Sequence, residues 1–350
     1  LDATTGCGVR PLRYVLEAGA DFVWANEGNW ELCDRLNANL SASLPSDKYC
    51  VTHQDANALF FECHQQKDFF DLIDIDGFGS PQPMLTSALW AVKLGGLMYL
   101  TSTDGWATSG HAPAKSLQTY GAYARAHPAV HEQGLRLLIG TAVQQAAARG
   151  LSAHPVFAWY HGEVNRVMVR VSRQSKWDTQ RYGFLTYCHS CGQFQTLSWK
   201  ALGRGASCPC KAVDPPVVSG PLWLGPLHSN SDLDAMLQTA MIKSVEHENA
   251  VVNDSRRKRR TKNPWKQCEE VIRVMQDEAS QPPYYYPLAE IGRRGKIDIP
   301  TKKSLIAILR RHGFSAGRTH INAQAIKTDA PFATCLQLAR QLSQSVNPPE

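Results

Sequence analysis

Over the first 110 positions, apolar residues fall into short strand-length runs separated by longer stretches of helical character. Phe70 to Ile75 is apolar apart from its aspartates, and Gly77 and Gly79 break the run. It predicts a buried strand with Asp74 and Asp76 at its carboxyl end. A helix over Pro83 to Lys93 leads through Gly95-Gly96 into a second apolar strand that ends at Asp104. Upstream, Leu1-Asp2 reads as the tail of a strand, Ala3 to Gly8 (ATTGCG) as a small-residue turn, and Val9 to Ala18 as a helix. Two more strands follow: Phe22 to Ala25, ending in Asn26-Glu27, and Tyr49 to His53, ending in Gln54-Asp55-Ala56. Alternating strands and helices predict an α/β fold built on a parallel sheet, which binds ligands at the carboxyl ends of its strands.

Beyond this region a helical stretch, Tyr120 to Arg149, ends at Gly150. Strands Ala153 to Trp159 and Asn165 to Ser172, joined by His161-Gly162-Glu163, predict a hairpin that closes the sheet. A boundary is expected near Ser172 to Gln180, dividing the 350 residues into domains 1–175 and 176–350, in keeping with the length. The second part holds a cysteine module, a Pro/Gly-rich crossing (Pro215 to Pro226), a helix over Asp232 to Glu246 and a polar basic stretch. A last compact unit starts at Pro282-Pro283-Tyr284-Tyr285-Tyr286-Pro287. It contains an amphipathic helix, Thr301 to His312, stopped by Gly313.

Charge sharpens the division. Residues 1–175 carry 13 Lys/Arg against 16 Asp/Glu (−3), whereas residues 176–350 carry 24 against 15 (+9). The basic part is the expected surface for a polyanion. Lys93 interrupts the longest apolar run, so no membrane span is expected. The chain begins at Leu1, already inside a strand, and its natural N-terminus is expected to lie upstream, which leaves the compartment of an intracellular protein unresolved. Cys7, Cys33, Cys50 and Cys63 have no ligand spacing and read as reduced thiols. Cys188-His189-Ser190-Cys191 and Cys208-Pro209-Cys210 are two close pairs some twenty residues apart. Such pairs can close a tetrahedral thiolate site for zinc, with His189 as an alternative donor.

The loop Ala3 to Gly8 lacks the spacing of a dinucleotide fingerprint or a phosphate loop. What gives it weight is Glu27, about twenty residues on, placed to accept hydrogen bonds from ribose hydroxyls. Asp55 and Ala56 suit an adenine edge, and Asp74 closes the series. Loop, ribose acid, adenine acid and strand-end acid, in that order, point to S-adenosylmethionine.

The segments LDATTGCGVRPLRY, DIDGFGSP, LTSTD, the His131-Glu132 and Arg136 helix, GPLWLGPL, IGRRGKIDIPTKK and GRTHINAQAIKTDAP span nearly the whole chain. In them the chain resembles the tRNA guanine-26 N(2)-dimethyltransferase family. The resemblance implies a Rossmann-like class I methyltransferase domain followed by a family-specific α+β domain that helps hold tRNA, working as a monomer. It also implies cofactor contacts from Asp2, Gly6, Gly8 and Arg10 of the first motif. Gly77 stands where the family usually has Pro, and Glu27 where it has Asp.

Asp76 is the expected catalytic group. The exocyclic amine of guanine is a weak nucleophile because its lone pair is delocalised into the ring. A carboxylate that accepts its hydrogen bond can align the amine and take its proton. Phe78 has two readings, stacking on a flipped base or packing in the core. Asp2 and Asp74 are either caps or direct ligands, and Asp104 shapes the pocket. No cysteine nucleophile lies in DIDGFGSP or LTSTDGW, which argues for direct transfer to nitrogen. His131 and Arg136 lie about 140° apart on a helix and cannot face one ligand. The run Ser255 to Lys262 (SRRKRRTK) reads as a solvated loop, a phosphate contact or an import signal. Arg293, Arg294 and Lys296, with later basic residues and interleaved Tyr284 to Tyr286 and His320, read as the tRNA surface. The alternatives are a methyltransferase acting on another guanosine, and an RNA-binding protein or chaperone with a weakened methyl site.

Overall fold

A computed structural model describes residues 1–174, 176–253 and 263–346; the basic run Ser255 to Lys262 lies outside the described residues. The first half forms the expected strand and helix alternation: α1 (Val9–Leu16), β1 (Val23–Asn26), α2 (Cys33–Ser41), β2 (Tyr49–Thr52), α3 (Ala56–Gln66), β3 (Phe70–Ile75), α4 (Gln82–Ala91) and β4 (Val92–Ser102). Short α5 (Gly105–Thr108) and α6 (Pro113–Tyr120) precede the long α7 (Val130–Ala148) and the hairpin β5 (Leu151–His161) and β6 (Val164–Arg173).

One sheet results. Leu1-Asp2 inserts between β1 and β3, since Asp2 bridges both Ala25 and Asp74 in parallel. The order is therefore β2-β1-(Leu1-Asp2)-β3-β4-β6-β5, parallel throughout except for β6. This is the Rossmann-like arrangement expected, closed by the antiparallel hairpin.

Two expectations are corrected here. The helical stretch Tyr120 to Arg149 is two helices: α6 ends at Tyr120 on the left-handed Gly121, and the chain then runs extended, with Tyr123 paired to Gly220, before α7 starts at Val130. Gly95-Gly96 lies inside β4 and does not precede it. The register against β3 jumps from Phe70↔Val92 to Leu72↔Leu97, because Gly95 has a φ of 89° and a Cβ on Gly96 would meet the Lys93 carbonyl at 2.9 Å.

After Arg173 come β7 (Tyr182–Tyr187), β8 (Phe194–Leu197) and β9 (Val217–Trp223), which form a small antiparallel sheet in the order β8-β7-β9. The Pro/Gly-rich crossing is thus largely a strand. Its buried Leu222 and Trp223 pack on α7, where Gly140 leaves room for the Trp223 backbone nitrogen at 3.1 Å from where a Cβ would stand. Then follow α8 (Asn230–Asn253), α9 (Pro264–Glu278), β10 (Tyr286–Pro287), α10 (Leu288–Gly295), α11 (Lys302–Arg311), β11 (Ala316–Gly317), β12 (Ala325–Thr328) and α12 (Phe332–Val346). Thr301 caps α11 through the Ser304 amide, and Gly313 follows it with a φ of 85°.

The main apolar core runs without interruption from Ile73 and Leu100 through Leu135 and Leu222 to Tyr285, Ile291 and Phe332, across the expected boundary. Tyr284, Tyr285 and Tyr286 belong to it and not to an RNA surface: Phe194 stacks on Tyr284 at 4.9 Å, and Phe332 covers Tyr286.

A buried chain of charges crosses the same boundary. Glu132 of α7 accepts from Arg136 (2.8 Å) and from Lys327 of β12 (2.6 Å), and Arg136 also donates to the Trp223 and Gly225 carbonyls. On the far side Lys327 approaches Glu278 at 4.0 Å, and Glu278 accepts from His228 (3.2 Å) and His320. His320 is therefore another residue removed from the expected RNA surface. Burial opposes the Glu278 charge, but His320 and Lys327 hold its carboxyl well below the usual range; burial pushes His228 down to about 4. Removing Lys327 leaves two buried carboxylates without their shared cation. Lys327→Met is expected to cost about 3–5 kcal/mol, read as a fall in the urea midpoint.

Candidate active site

The carboxyl ends of Leu1-Asp2, β1, β2, β3 and β4 share one edge of the sheet. Asn26, fully buried, laces three of them together by donating to the Ala3 and Gln54 carbonyls while accepting from Thr52 and the Gln54 amide. Above this strap the loop Ala3 to Gly8 turns on Gly6 (φ 59°) and Gly8 (φ 84°). A Cβ on Gly8 would meet the Leu36 side chain at 2.8 Å, whereas Gly6 faces open space. Gly8 is the N-cap of α1 with no side-chain bond, so the first amides of the helix face the loop.

Glu27 sits at the end of β1 and bends over the loop. Its carboxylate accepts from the Gly6 amide at 2.7 Å and from the Asn29 amide at 2.8 Å. Asp55 caps α3 through the Asn57 and Ala58 amides, with Ala56 buried behind it. Exposed Trp30 lies against His53 beside these two acids, a ring the sequence reading did not single out.

The acids at the centre are held by one arginine. Arg10, on α1, donates to both oxygens of Asp74 at 2.6 Å and to Asp76 through its other nitrogen. Tyr14, one turn on, donates to Asp74, and the Arg10 guanidinium lies over the Tyr99 ring at 5.2 Å. Asp2 is buried next to Asp74, and its Oδ2 has no hydrogen-bond partner. Burial and the Asp74 charge push Asp2 up to about 7; burial raises Asp74 too, against the pull of Arg10. The three carboxylates thus differ. Asp2 and Asp74 are buried, whereas the Asp76 side chain is 28% exposed, with its backbone amide fixed on Thr4 Oγ1 at 3.0 Å.

Phe78 is fully exposed two residues beyond Asp76, which rules out core packing. Its loop is tied to the end of β4: the Gly79 amide donates to Thr103 Oγ1 and the Thr103 amide to the Gly79 carbonyl, both at 2.8 Å. Asp104, nearly buried, caps α5 and accepts from Lys115 at 3.2 Å.

The distant residues divide. Cys188, Cys191, Cys208 and Cys210 converge, with Sγ separations of 3.6 Å (Cys188 to Cys210) and 3.4 Å (Cys191 to Cys208) and all four within 4.8 Å. That spacing fits four thiolates around one tetrahedral zinc. His189 turns its ring onto Tyr187 and is not in the set. Arg294 is not a free phosphate ligand. It donates to the Ser190 and His189 carbonyls at 2.9 and 2.8 Å and to Tyr187 and Glu290, so it locks the cysteine knuckle onto α10. Arg293 and Lys296 remain at the surface, Arg293 paired with Glu290.

Residues 1–340 match the family of N2,N2-dimethylguanosine tRNA methyltransferases. The chain belongs to this family. It is 29% identical to the tRNA (guanine(26)-N(2))-dimethyltransferase of Pyrococcus abyssi over 95% of this chain and 84% of that protein, and 30% identical to its counterpart in Pyrococcus horikoshii over 98% and 86%. The solved structure of Trm1 from Pyrococcus horikoshii with S-adenosyl-L-methionine matches with a TM-score of 0.79 at 26% identity, covering 96% of this chain and 87% of that one.

Within this family setting the two glycines beside Asp76 differ. Gly79 has a φ of 80°, whereas Gly77 lies outside the left-handed region and a Cβ there would meet only ordinary neighbours, Met84 Cε at 3.7 Å. Gly79→Ala is expected to cost about 1–2 kcal/mol and Gly77→Ala to stay within about 0.5 kcal/mol of the parent, both measured by chemical denaturation.

Proposed function

We propose that this member of the N2,N2-dimethylguanosine tRNA methyltransferase family transfers one and then two methyl groups from S-adenosylmethionine to the exocyclic amine of guanosine 26 in tRNA, as a monomer inside the cell. The observation that carries the reading is the contrast at the sheet edge. Of the three carboxylates gathered there, Asp76 alone is part-exposed, and it stands beside the fully exposed ring of Phe78.

The residues present fit the cofactor. Asp2 offers a buried oxygen without a partner, Gly6 opens the loop, and Glu27 and Asp55 follow the ends of β1 and β2. We assign Asp2, Gly6, Gly8, Arg10, Glu27, Asp55, Ala56 and Asp74 to its binding, with Glu27 at the ribose and Asp55 with Ala56 at the adenine. When bound, S-adenosylmethionine supplies an electrophilic methyl group on a sulfonium.

Asp76 does the work on the nucleophile. Its carboxylate accepts a hydrogen bond from the amine, fixes the direction of the nitrogen lone pair and takes up the proton released when the new N–C bond forms. Arg10 holds that carboxylate in position before the base arrives, and Thr4 holds its backbone in place. Phe78 stacks on the extruded guanine, and Asp104 with Lys115 shapes the far wall. Arg293 and Lys296 are left as phosphate contacts. The cysteine cluster holds a structural zinc.

Incubated with an unmodified tRNA and cofactor, the protein should yield dimethylguanosine at position 26 by nucleoside mass spectrometry, and a transcript with adenosine at that position should stay unmethylated. Methylation elsewhere, or none, would overturn the assignment. Asp76→Ala is expected to lower turnover by roughly 10²-fold or more while calorimetric affinity for the cofactor changes only a few-fold. Metal analysis should find close to one zinc per chain, and Cys191→Ser should lower both the zinc content and the melting temperature.

A further inference from the structure

Trp106 is a large exposed aromatic residue beside the Phe78 loop that the proposed chemistry does not use. It lies in the short α5, two residues beyond Asp104, and is 65% exposed. An exposed ring by itself is ordinary, but one held rigidly within a cluster of aromatic and basic groups marks an interaction surface. Rigidity is evident on three sides. Asp104 caps the turn that carries Trp106, Ala107 and Thr108 behind it are buried, and the indole stacks on His111 at 4.8 Å with the rings 23° apart. The reciprocal Gly79 and Thr103 bonds tie this segment to the loop of Phe78.

The surface continues with the same chemistry. A Cβ on Gly110 would stand 2.3 Å from the Arg125 backbone carbon, so the turn after Trp106 abuts the segment that carries Tyr123 and Arg125. Both are exposed, and the Arg125 guanidinium lies over the Tyr123 ring at 6.0 Å. A stacked aromatic pair beside an exposed arginine favours a nucleobase with its phosphate over an apolar peptide.

We propose that Trp106, backed by His111, is a stacking platform for a nucleobase of the tRNA next to the target guanosine, and that Arg125 contacts the adjoining phosphate. The inference rests on the methyltransferase reading and adds an RNA-binding surface to the half of the chain whose net charge is negative. It assigns Trp106 to substrate affinity and not to cofactor binding.

Fluorescence anisotropy with labelled unmodified tRNA tests it on the full chain. Trp106→Ala should weaken binding by about five- to 150-fold, the range of one base–aromatic stack. Trp106→Phe should recover to within about threefold, because a phenyl ring still stacks. Cofactor affinity should be unchanged in both variants. Arg125→Ala should weaken binding and make the log–log salt dependence shallower by about one. Trp106→Ala binding within twofold of the parent overturns the proposal. So does an equal loss in the Ala and Phe variants accompanied by a fall in melting temperature and cofactor affinity, which would make the ring structural. Affinity is read without turnover, so a parent protein that binds tRNA but methylates nothing would sink the functional reading and leave the platform standing.

Discussion

Three carboxylates crowd the carboxyl ends of two adjacent strands, and the guanidinium of Arg10 makes that crowding tolerable. Two negative charges a few ångströms apart in a part-buried site repel by several kcal/mol at an effective dielectric near 20. A planar fork reaching Asp74 with one nitrogen and Asp76 with the other turns this repulsion into a fixed geometry. The arrangement also explains why α1 must begin where it does. Gly8 fits under Leu36 only without a side chain, and that close approach sets the helix so that Arg10 and Tyr14, one turn apart, both face Asp74. A lysine at the same position would bring one point charge and could not span both acids.

Much of this edge was legible in the sequence because it is written in local signals. The strand-terminating aspartates, the glycines after them and the acid about twenty residues beyond the loop each follow from short-range pattern, and the structure puts all of them on one edge. Long-range pairings left no such mark. Arg10 and Asp74 are 64 positions apart. Nothing in the run Tyr284 to Tyr286 shows that all three rings are covered, because one comes to lie on Phe194 and another under Phe332. Arg294 reads as a surface cation in a basic cluster until the cysteine knuckle, more than a hundred positions away, is folded against it. Trp106 carried no such mark either: its exposure and its stacking on His111 are set by the fold.

The two halves differ in charge, yet they do not divide as bodies. β9 lies on α7, the tyrosines of the last unit enter the same core as β4, and the Glu132–Lys327 pair bridges residues 195 positions apart. A charged link buried to this degree adds little net stability over an apolar one, but it ties the two halves at one point. The orientation of the basic half relative to the methyl-transfer edge is fixed by these contacts together.

The cluster at the end of that link has one more property. His228, Glu278 and His320 bring a carboxylate oxygen and two ring nitrogens within 4.8 Å, a donor set that elsewhere captures transition metals. Here the backbone amide of Ala158 donates to His228 Nδ1 at 3.3 Å. A neutral imidazole carries one proton, so occupation of Nδ1 as an acceptor places that proton on Nε2, the nitrogen turned toward Glu278. On His228 the lone pair a cation would need is therefore already spent, and Lys327 adds like charge nearby. Among the described residues, a single main-chain N–H thus sets the interior cluster apart from the four sulfurs, the place where an incoming soft ion can settle.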